Sequence, residues 1–115
     1  MLAACSHAPV QGQLSQQAID KVVRRHRGEV RSCYDIGLSR NAALAGRVDL
    51  LFTVAPSGVP QAVRIGASQL EQPEVERCLL AVAARWRFPR ATTSTPVELP
   101  LQFAAEEDFA DPGMR

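Results

Sequence analysis

The sequence predicts a two-layer α+β domain with the element order α-β-β-α-β, in which two helices cover one face of a three-stranded antiparallel sheet ordered 2-1-3. Three observations predict this fold. Apolar residues recur at helical spacing in two stretches, they alternate at strand spacing in three others, and proline occurs in two of those three strands, as is typical of sheet edges. With 115 residues, the chain has room for one domain with a modest core.

The first helix is expected to begin after Ser15, a residue type that commonly caps helix N-termini. One stripe of residues then recurs at helical spacing over residues 19–38, which predicts a single long amphipathic helix. The stripe consists of Ile19, Val22, Val23, His26, Val30, Cys33, Tyr34, Gly37 and Leu38.

Basic residues gather on the other face of this helix, in the run 24–27 and at Arg31. Such a run could bind phosphate groups of nucleic acid or of lipid, but a solvated helix face explains it more often. The net charge is only +1, and aromatic residues for base stacking are scarce outside the predicted core. We therefore expect no nucleic-acid partner.

Residues 46–65 read as a β-hairpin around which the domain is organised. In its first strand, residues 47–54, every second residue from Val48 to Val54 is apolar, and Leu51 adds an apolar side chain to the opposite face. Apolar residues on both faces indicate an inner strand. The tripeptide 56–58 supplies proline and glycine for a turn, and Pro60 in the second strand suits a sheet edge.

The second helix begins near Pro73, because proline is well tolerated in a first helical turn. Its inward stripe consists of Val75, Cys78, Leu79, Val82 and Trp86. A third strand, residues 97–103, directs Val97, Leu99, Leu101 and Phe103 to the core, and Pro100 on the other phase marks it as an edge. A helical crossover from the second strand to the third then places the first strand in the middle.

Several strings in this order resemble the C-terminal domain of TonB-type energy transducers, and more closely the AgmX/PglI-type C-terminal domains of myxobacterial envelope proteins. The resemblance covers roughly residues 19–103. The strings are Val22-Val23-Arg24-Arg25-His26, Cys33-Tyr34, Leu44-Ala45-Gly46-Arg47-Val48, Phe52-Thr53-Val54 with Gly58-Val59, Cys78, and Trp86-Arg87-Phe88-Pro89.

The resemblance implies a periplasmic protein–protein interaction module of a cell-envelope transport or motility machine. Domains of this type pair their last strand with an extended segment of an outer-membrane partner, which is β-augmentation. It therefore implies a partner site on the third strand, formed by Val97, Glu98, Leu99, Leu101, Gln102 and Phe103. The alternative is an edge that is protected from pairing by Pro100, Glu98 and the acidic residues that follow.

Cys33 and Cys78 lie on the inward stripes of the two helices, where either a disulfide or two reduced, buried thiols would fit. The periplasmic location that the resemblance implies favours the disulfide. No Cys-x-x-Cys motif, paired carboxylates, phosphate-binding loop or metal-ligand spacing occurs, so we expect no enzyme, no metal site and no cofactor.

The residues before Ser15 suggest a second function. Leu2-Ala3-Ala4-Cys5 resembles the lipobox of bacterial lipoproteins, which makes Cys5 a candidate for lipidation and the chain a candidate structural envelope lipoprotein. Only Met1 precedes the motif, so either the start of this sequence lies inside a longer signal peptide or the match is chance. The expected organisation is a flexible lead-in at residues 1–14, the domain at 15–104 and a disordered acidic tail at 105–115. No run of about 18 apolar residues occurs, so we expect no membrane-spanning helix and a membrane contact only through Cys5.

Overall fold

The computed structural model describes residues 9–104 and confirms the predicted α+β fold. In chain order the elements are α1 (Gln16–Arg25), α2 (Arg27–Leu38), β1 (Gly46–Val54), β2 (Pro60–Ser68), α3 (Pro73–Ala84) and β3 (Thr95–Phe103). The three strands form one antiparallel sheet in the order β2-β1-β3. In the part of the chain described, no helix is long and apolar enough to cross a membrane.

The single long helix that the apolar stripe predicts is wrong in one respect, because it is divided at His26. This residue has φ −105° and ψ 16°, outside the helical region. Its N–H donates to the carbonyl of Val23, and its own carbonyl accepts from Glu29 and Val30, so it ends α1 and begins α2. Ile19 on one side of the break and Val30 on the other are both buried, so the inward stripe continues through it. The apolar stripe in the sequence therefore gives no sign that the helix is interrupted at His26.

β1 is the central strand, as its apolar residues on both faces predict. Its inward residues Val48, Leu50, Phe52 and Val54 are buried, while Leu51 is half-buried on the opposite face. β2 is longer than predicted, because it continues to Ser68 into a stretch read as a connector. It is also irregular, with two register shifts against β1 and a positive φ of 55° at Ala62.

One hydrophobic core joins the sheet to all three helices. The largest fully buried side chains are Trp86, Tyr34, Phe52, Phe103, Leu50, Leu79 and Leu101. A disulfide between Cys33 and Cys78, with 5.5 Å between their Cα atoms, links α2 to α3 within this layer. The hydroxyl of Tyr34 donates a hydrogen bond to the carbonyl of Leu44, and its ring stacks on Phe103. The disulfide thus joins two helices within the core, and the Tyr34–Phe103 stack joins α2 to β3.

The turn between β1 and β2 is hydrogen-bonded to the chain that follows α3. The N–H of Phe88 donates to the carbonyl of Gly58 at 2.9 Å, and the N–H of Ala91 donates to the carbonyl of Pro56 at 3.0 Å. Gly58 has φ +92°, and a Cβ atom there would lie 2.1 Å from the carbonyl oxygen of Phe88. Glycine is therefore required at this position both by its backbone conformation and by the close approach of the two chains.

The described part of the predicted lead-in is hydrogen-bonded to the loop before β3 and to the first residue of that strand. Val10 donates to the carbonyl of Arg90 and accepts from Thr92, and the N–H of Leu14 donates to the hydroxyl of the buried Thr95. Leu14 is itself buried in the core. The proposed lipidation site Cys5 and the predicted tail at 105–115 lie outside the described residues, and the domain boundaries at 14/15 and 104/105 stay predictions.

Candidate functional site: the free edge of β3

β3 forms one edge of the sheet and pairs with β1 over its whole length. All nine of its residues keep one register, from Thr95 opposite Val54 to Phe103 opposite Gly46, with no bulge. A strand edge that is long, straight and regular is a template on which another extended chain can pair. The direction in which each backbone group of β3 points therefore decides what the edge can bind.

The backbone groups of β1 alternate between its two neighbours, and Arg47 shows the phase. Its carbonyl accepts from the N–H of Gln69 at 2.8 Å, and its own N–H donates to the side chain of Gln69, both on the β2 side. The two backbone groups of successive residues in a regular strand point to opposite neighbours. Val48, which follows Arg47, therefore directs its N–H and carbonyl to β3. Its partner Leu101 therefore faces β1, and the intervening positions of β3 face the open edge.

Four residues of β3 present their backbone to the open side, and they are Pro96, Glu98, Pro100 and Gln102. Proline has no N–H, so this phase is also the one that keeps both prolines from interrupting the ladder with β1. The open edge consequently offers four carbonyl acceptors and two N–H donors, the latter at Glu98 and Gln102. Within residues 9–104, no backbone hydrogen bond from outside the sheet reaches these groups.

The side chains of the six predicted partner-binding residues separate into two groups. Val97, Leu99, Leu101 and Phe103 are buried against the helices and have their backbone groups turned toward β1. Glu98 and Gln102 are exposed on the outer face of the sheet and lie on the open phase. The first group positions the strand in the sheet, so only the second group could contact a partner directly. Sequence alternation predicts the burial but not the phase of the backbone groups.

An ion pair on the outer face lies beside this edge. Asp49 is buried, and its carboxylate accepts from Nε of Arg47 at 2.7 Å and from a terminal guanidinium nitrogen at 3.2 Å. The hydrogen bond and the charge of Asp49 raise the pKa of Arg47, and the charge of Glu98 on β3 adds to this effect. Arg47 lies directly opposite Gln102 in the register. The outer face next to the open edge therefore carries a guanidinium that Asp49 holds in place, close to one of the two open donors.

The other sheet edge is a poorer template. β2 begins at Pro60, and its two register shifts and the positive φ at Ala62 break the straight run of backbone groups that a partner strand needs. Irregularities of this kind are one way in which proteins protect sheet edges from pairing. Of the two edges, the regular one is β3.

The remaining sequence candidates lie away from β3. His26 is half-buried, stacks on Trp86 at 5.8 Å between ring centroids and faces Glu29 at 3.4 Å. Among the described residues, no three histidine, cysteine or acidic side chains are grouped in a way that could hold a metal ion. The basic run of the first helix lies on exposed faces of α1 and α2, and only Arg25 of this run lines a groove, which is described below.

Comparisons with known proteins agree with this description of the fold. No family model matches the chain, and no curated protein matches it. Two solved structures do, both of them solution NMR structures of the TonB C-terminal domain of Helicobacter pylori. The first has a TM-score of 0.55 and 16% sequence identity and covers 83% of this chain and 87% of that one. The second has a TM-score of 0.52 and 15% identity and covers 76% of this chain and 97% of that one. The chain therefore has a fold similar to that of TonB C-terminal domains, while the closer resemblance to the AgmX/PglI type stays a prediction.

Proposed function

We propose that this chain is a non-enzymatic protein-interaction module of the bacterial periplasm, which binds an extended segment of an envelope protein along β3. The observation that carries the proposal is the unbroken nine-residue register of β3 at a sheet edge. The similarity to TonB C-terminal domains supports a TonB-like interaction module, and the disulfide is typical of an oxidising compartment. The partner belongs to a transport or motility machine of the cell envelope, and an outer-membrane protein segment is the partner that the resemblance implies.

The proposed contact is made mainly by the backbone. A partner strand would donate to the carbonyls of Pro96, Glu98, Pro100 and Gln102 and accept from the N–H groups of Glu98 and Gln102. Because an edge with two prolines has fewer donors than acceptors, partners that lack a donor on the facing phase are disfavoured. The exposed side chains of Glu98 and Gln102 and the guanidinium of Arg47 then distinguish among partner sequences.

The test separates the backbone donor from the side chain at one position. Isotope-labelled protein is titrated with extended peptides from candidate envelope partners, and affinities are compared for the wild type, Glu98→Pro and Glu98→Ala. Both substitutions remove the carboxylate, but only the first removes the N–H. An intermolecular hydrogen bond contributes about 1 kcal/mol, so Glu98→Pro should weaken binding about fivefold relative to Glu98→Ala. Gln102→Pro against Gln102→Ala repeats the test at the second donor.

The proline variants are expected to fold, since Pro96 and Pro100 already occupy the same phase of β3 without interrupting its pairing with β1. Amide shifts centred on β3 together with a selective effect of proline support β-augmentation. Equal affinities of the proline and alanine variants, or shifts confined to the helices, would refute it.

A second candidate function is a structural envelope lipoprotein anchored through Cys5. The lipobox-like residues 2–5 favour it, and the hydrogen bonds of Val10 to the loop before β3 would hold such an anchor within a few residues of the domain. Intact-mass spectrometry of the protein from its native membrane fraction tests this candidate. A mass without acyl chains at an intact Cys5 excludes it and leaves the β3 proposal unaffected.

A further inference from the structure

A groove of about 770 Å³ lies between α1 and the chain that follows α3, at the end of the sheet where the β1–β2 turn is. Val22, buried in the core, and Phe88 form part of its apolar floor. The side chains that line it come from three separate parts of the chain, and they are Ser15, Gln17, Ala18, Lys21, Val22, Arg25, Ser57, Arg87, Phe88, Pro89 and Arg90.

Four of these lining residues are basic and none is acidic. None of the four forms an ion pair within residues 9–104, and they are Lys21, Arg25, Arg87 and Arg90. By contrast, Arg31, Arg40 and Arg47 each face a carboxylate at 2.7–3.3 Å. Arg87 donates only to the backbone carbonyls of Ala84 and Trp86. A chain with a net charge of +1 thus places four uncompensated cations around one concave surface, which raises the local concentration of anions.

The acidic tail of the chain itself is a poor occupant on grounds of length. The chain leaves β3 at Phe103, whereas the groove lies at the other end of the strand, next to the turn that follows Val54. Nine strand residues span about 27 Å. Glu106, Glu107 and Asp108 are at most five residues beyond Phe103, a reach of about 17 Å. Asp111 is eight residues beyond Phe103 and spans the distance only if the chain is fully extended, at about 28 Å. The three consecutive acidic residues 106–108 therefore fall short of the groove, and among residues 104–111 only the carboxylate of Asp111 could reach it. One carboxylate does not match four cations, so an anion from outside the chain is the better occupant.

The position of the N-terminal segment favours a membrane surface over an acidic peptide. Val10 donates a hydrogen bond to the carbonyl of Arg90 at 2.8 Å, which places Val10 at the rim of the groove. Cys5 is five residues from Val10, and a chain of that length extends at most about 17 Å. A lipid on Cys5 would thus hold the four cations against the headgroups.

We propose that this basic groove, formed by Lys21, Arg25, Arg87 and Arg90, binds the phosphate headgroups of an anionic lipid surface. The cations attract the phosphates, and the partly apolar floor at Val22 and Phe88 accommodates the glycerol backbone beside them. The choice of lipid draws on the lipoprotein candidate above, but binding by the groove is a property of the folded domain alone and can be measured without a lipid anchor. β3 remains available to a protein partner, because its open edge is not part of the groove.

The test uses the full chain with Cys5→Ser, so that no acyl chain contributes. Sedimentation with sucrose-loaded vesicles compares pure phosphatidylcholine with a mixture containing 30% phosphatidylglycerol at low salt. We expect binding only to the anionic vesicles. A basic residue near such a surface changes the partition coefficient about fivefold, so Lys21→Gln with Arg25→Gln should lower it about 30-fold, and Arg87→Gln with Arg90→Gln should do the same.

The matched control is Arg64→Gln with Arg77→Gln, which changes the net charge equally at two exposed arginines outside the groove. This control should lower the partition coefficient less than threefold. All six positions are exposed, and thermal melts verify that each variant is folded. Equal losses in the groove and control variants would reduce the effect to overall charge and overturn the proposal. The proposal would also be overturned if the protein bound poly-glutamate but not the anionic vesicles at the same concentration of anionic groups. Because β3 plays no part in the assay, these outcomes are independent of the peptide titrations above.

Discussion

Removing the disulfide between Cys33 and Cys78 should cost a large part of the stability of this domain. The bond joins residues 45 apart in sequence, and the chain-entropy model assigns a closed loop of that length about 13 cal/mol/K, or about 4 kcal/mol at 25 °C. Small domains have total unfolding free energies of about 5–15 kcal/mol. The double variant Cys33→Ala, Cys78→Ala should therefore be less stable by about 4 kcal/mol and, since its unfolded chain is more expanded, should show a steeper dependence on denaturant.

The assay is urea denaturation followed by circular dichroism, with Cys5→Ser in every protein so that only the paired thiols differ. Intact mass with and without reductant establishes that the disulfide has formed. The Cys5→Ser protein in reductant is the internal control, because it should unfold at nearly the same urea concentration as the variant that also lacks Cys33 and Cys78. A difference in unfolding free energy below about 1 kcal/mol between the oxidised protein and the double variant would refute the reasoning. It would mean that the unfolded chain is equally constrained when the disulfide is absent.

Three further predictions concern the turn, the buried tyrosine and β3. Gly58→Ala should destabilise the domain by more than about 3 kcal/mol, because it adds a Cβ clash with Phe88 to the strain of a positive φ. The control is Gly12→Ala, because Gly12 also has a positive φ, +79°, but a Cβ atom there would meet no atom within 4 Å. Comparing the thermal melts of the two variants separates the effect of the clash from that of the strain. Burial raises the pKa of Tyr34, an effect that nearby Arg31 opposes and Asp35 reinforces. The unfolded state therefore loses this proton at lower pH than the folded state, so the contribution of Tyr34 to stability is full below pH ~10 and falls above it. Tyr34→Phe should lack this dependence. Urea denaturation from pH 8 to 11 measures the stability of the two proteins and absorbance at 295 nm follows the ionisation of tyrosine, and a parallel fall in stability of the two proteins would contradict the assignment. Leu101→Ala should cost about 2–5 kcal/mol and Pro100→Ala less than about 1 kcal/mol, because the first side chain is fully buried and the second exposed; similar losses in urea denaturation would mean that the inward phase of β3 is wrong.

Much of the architecture was predictable because it depends on local periodicity. The alternation around Leu50 and the helical stripe through Val30 each report which side of an element is buried, and the buried residues agree with those stripes. The place of β1 at the centre also follows, since a helical crossover leaves few arrangements of three strands. The break at His26 was not predictable in this way, because one residue with non-helical torsion angles changes the direction of the backbone without interrupting the inward stripe.

The candidate sites depend on information of another kind. The sequence alone determined that β3 is an edge strand with buried and exposed phases, and it placed Cys33 and Cys78 on inward faces. Only the tertiary structure decided that the open backbone groups belong to the phase of Glu98 and Gln102, that the two sulfurs meet, and that Lys21 and Arg25 share a groove with Arg87 and Arg90. The physical reason is that a periodic pattern describes each element about its own axis, whereas the register between strands, the offset between helices and the approach of distant loops are set by packing in three dimensions.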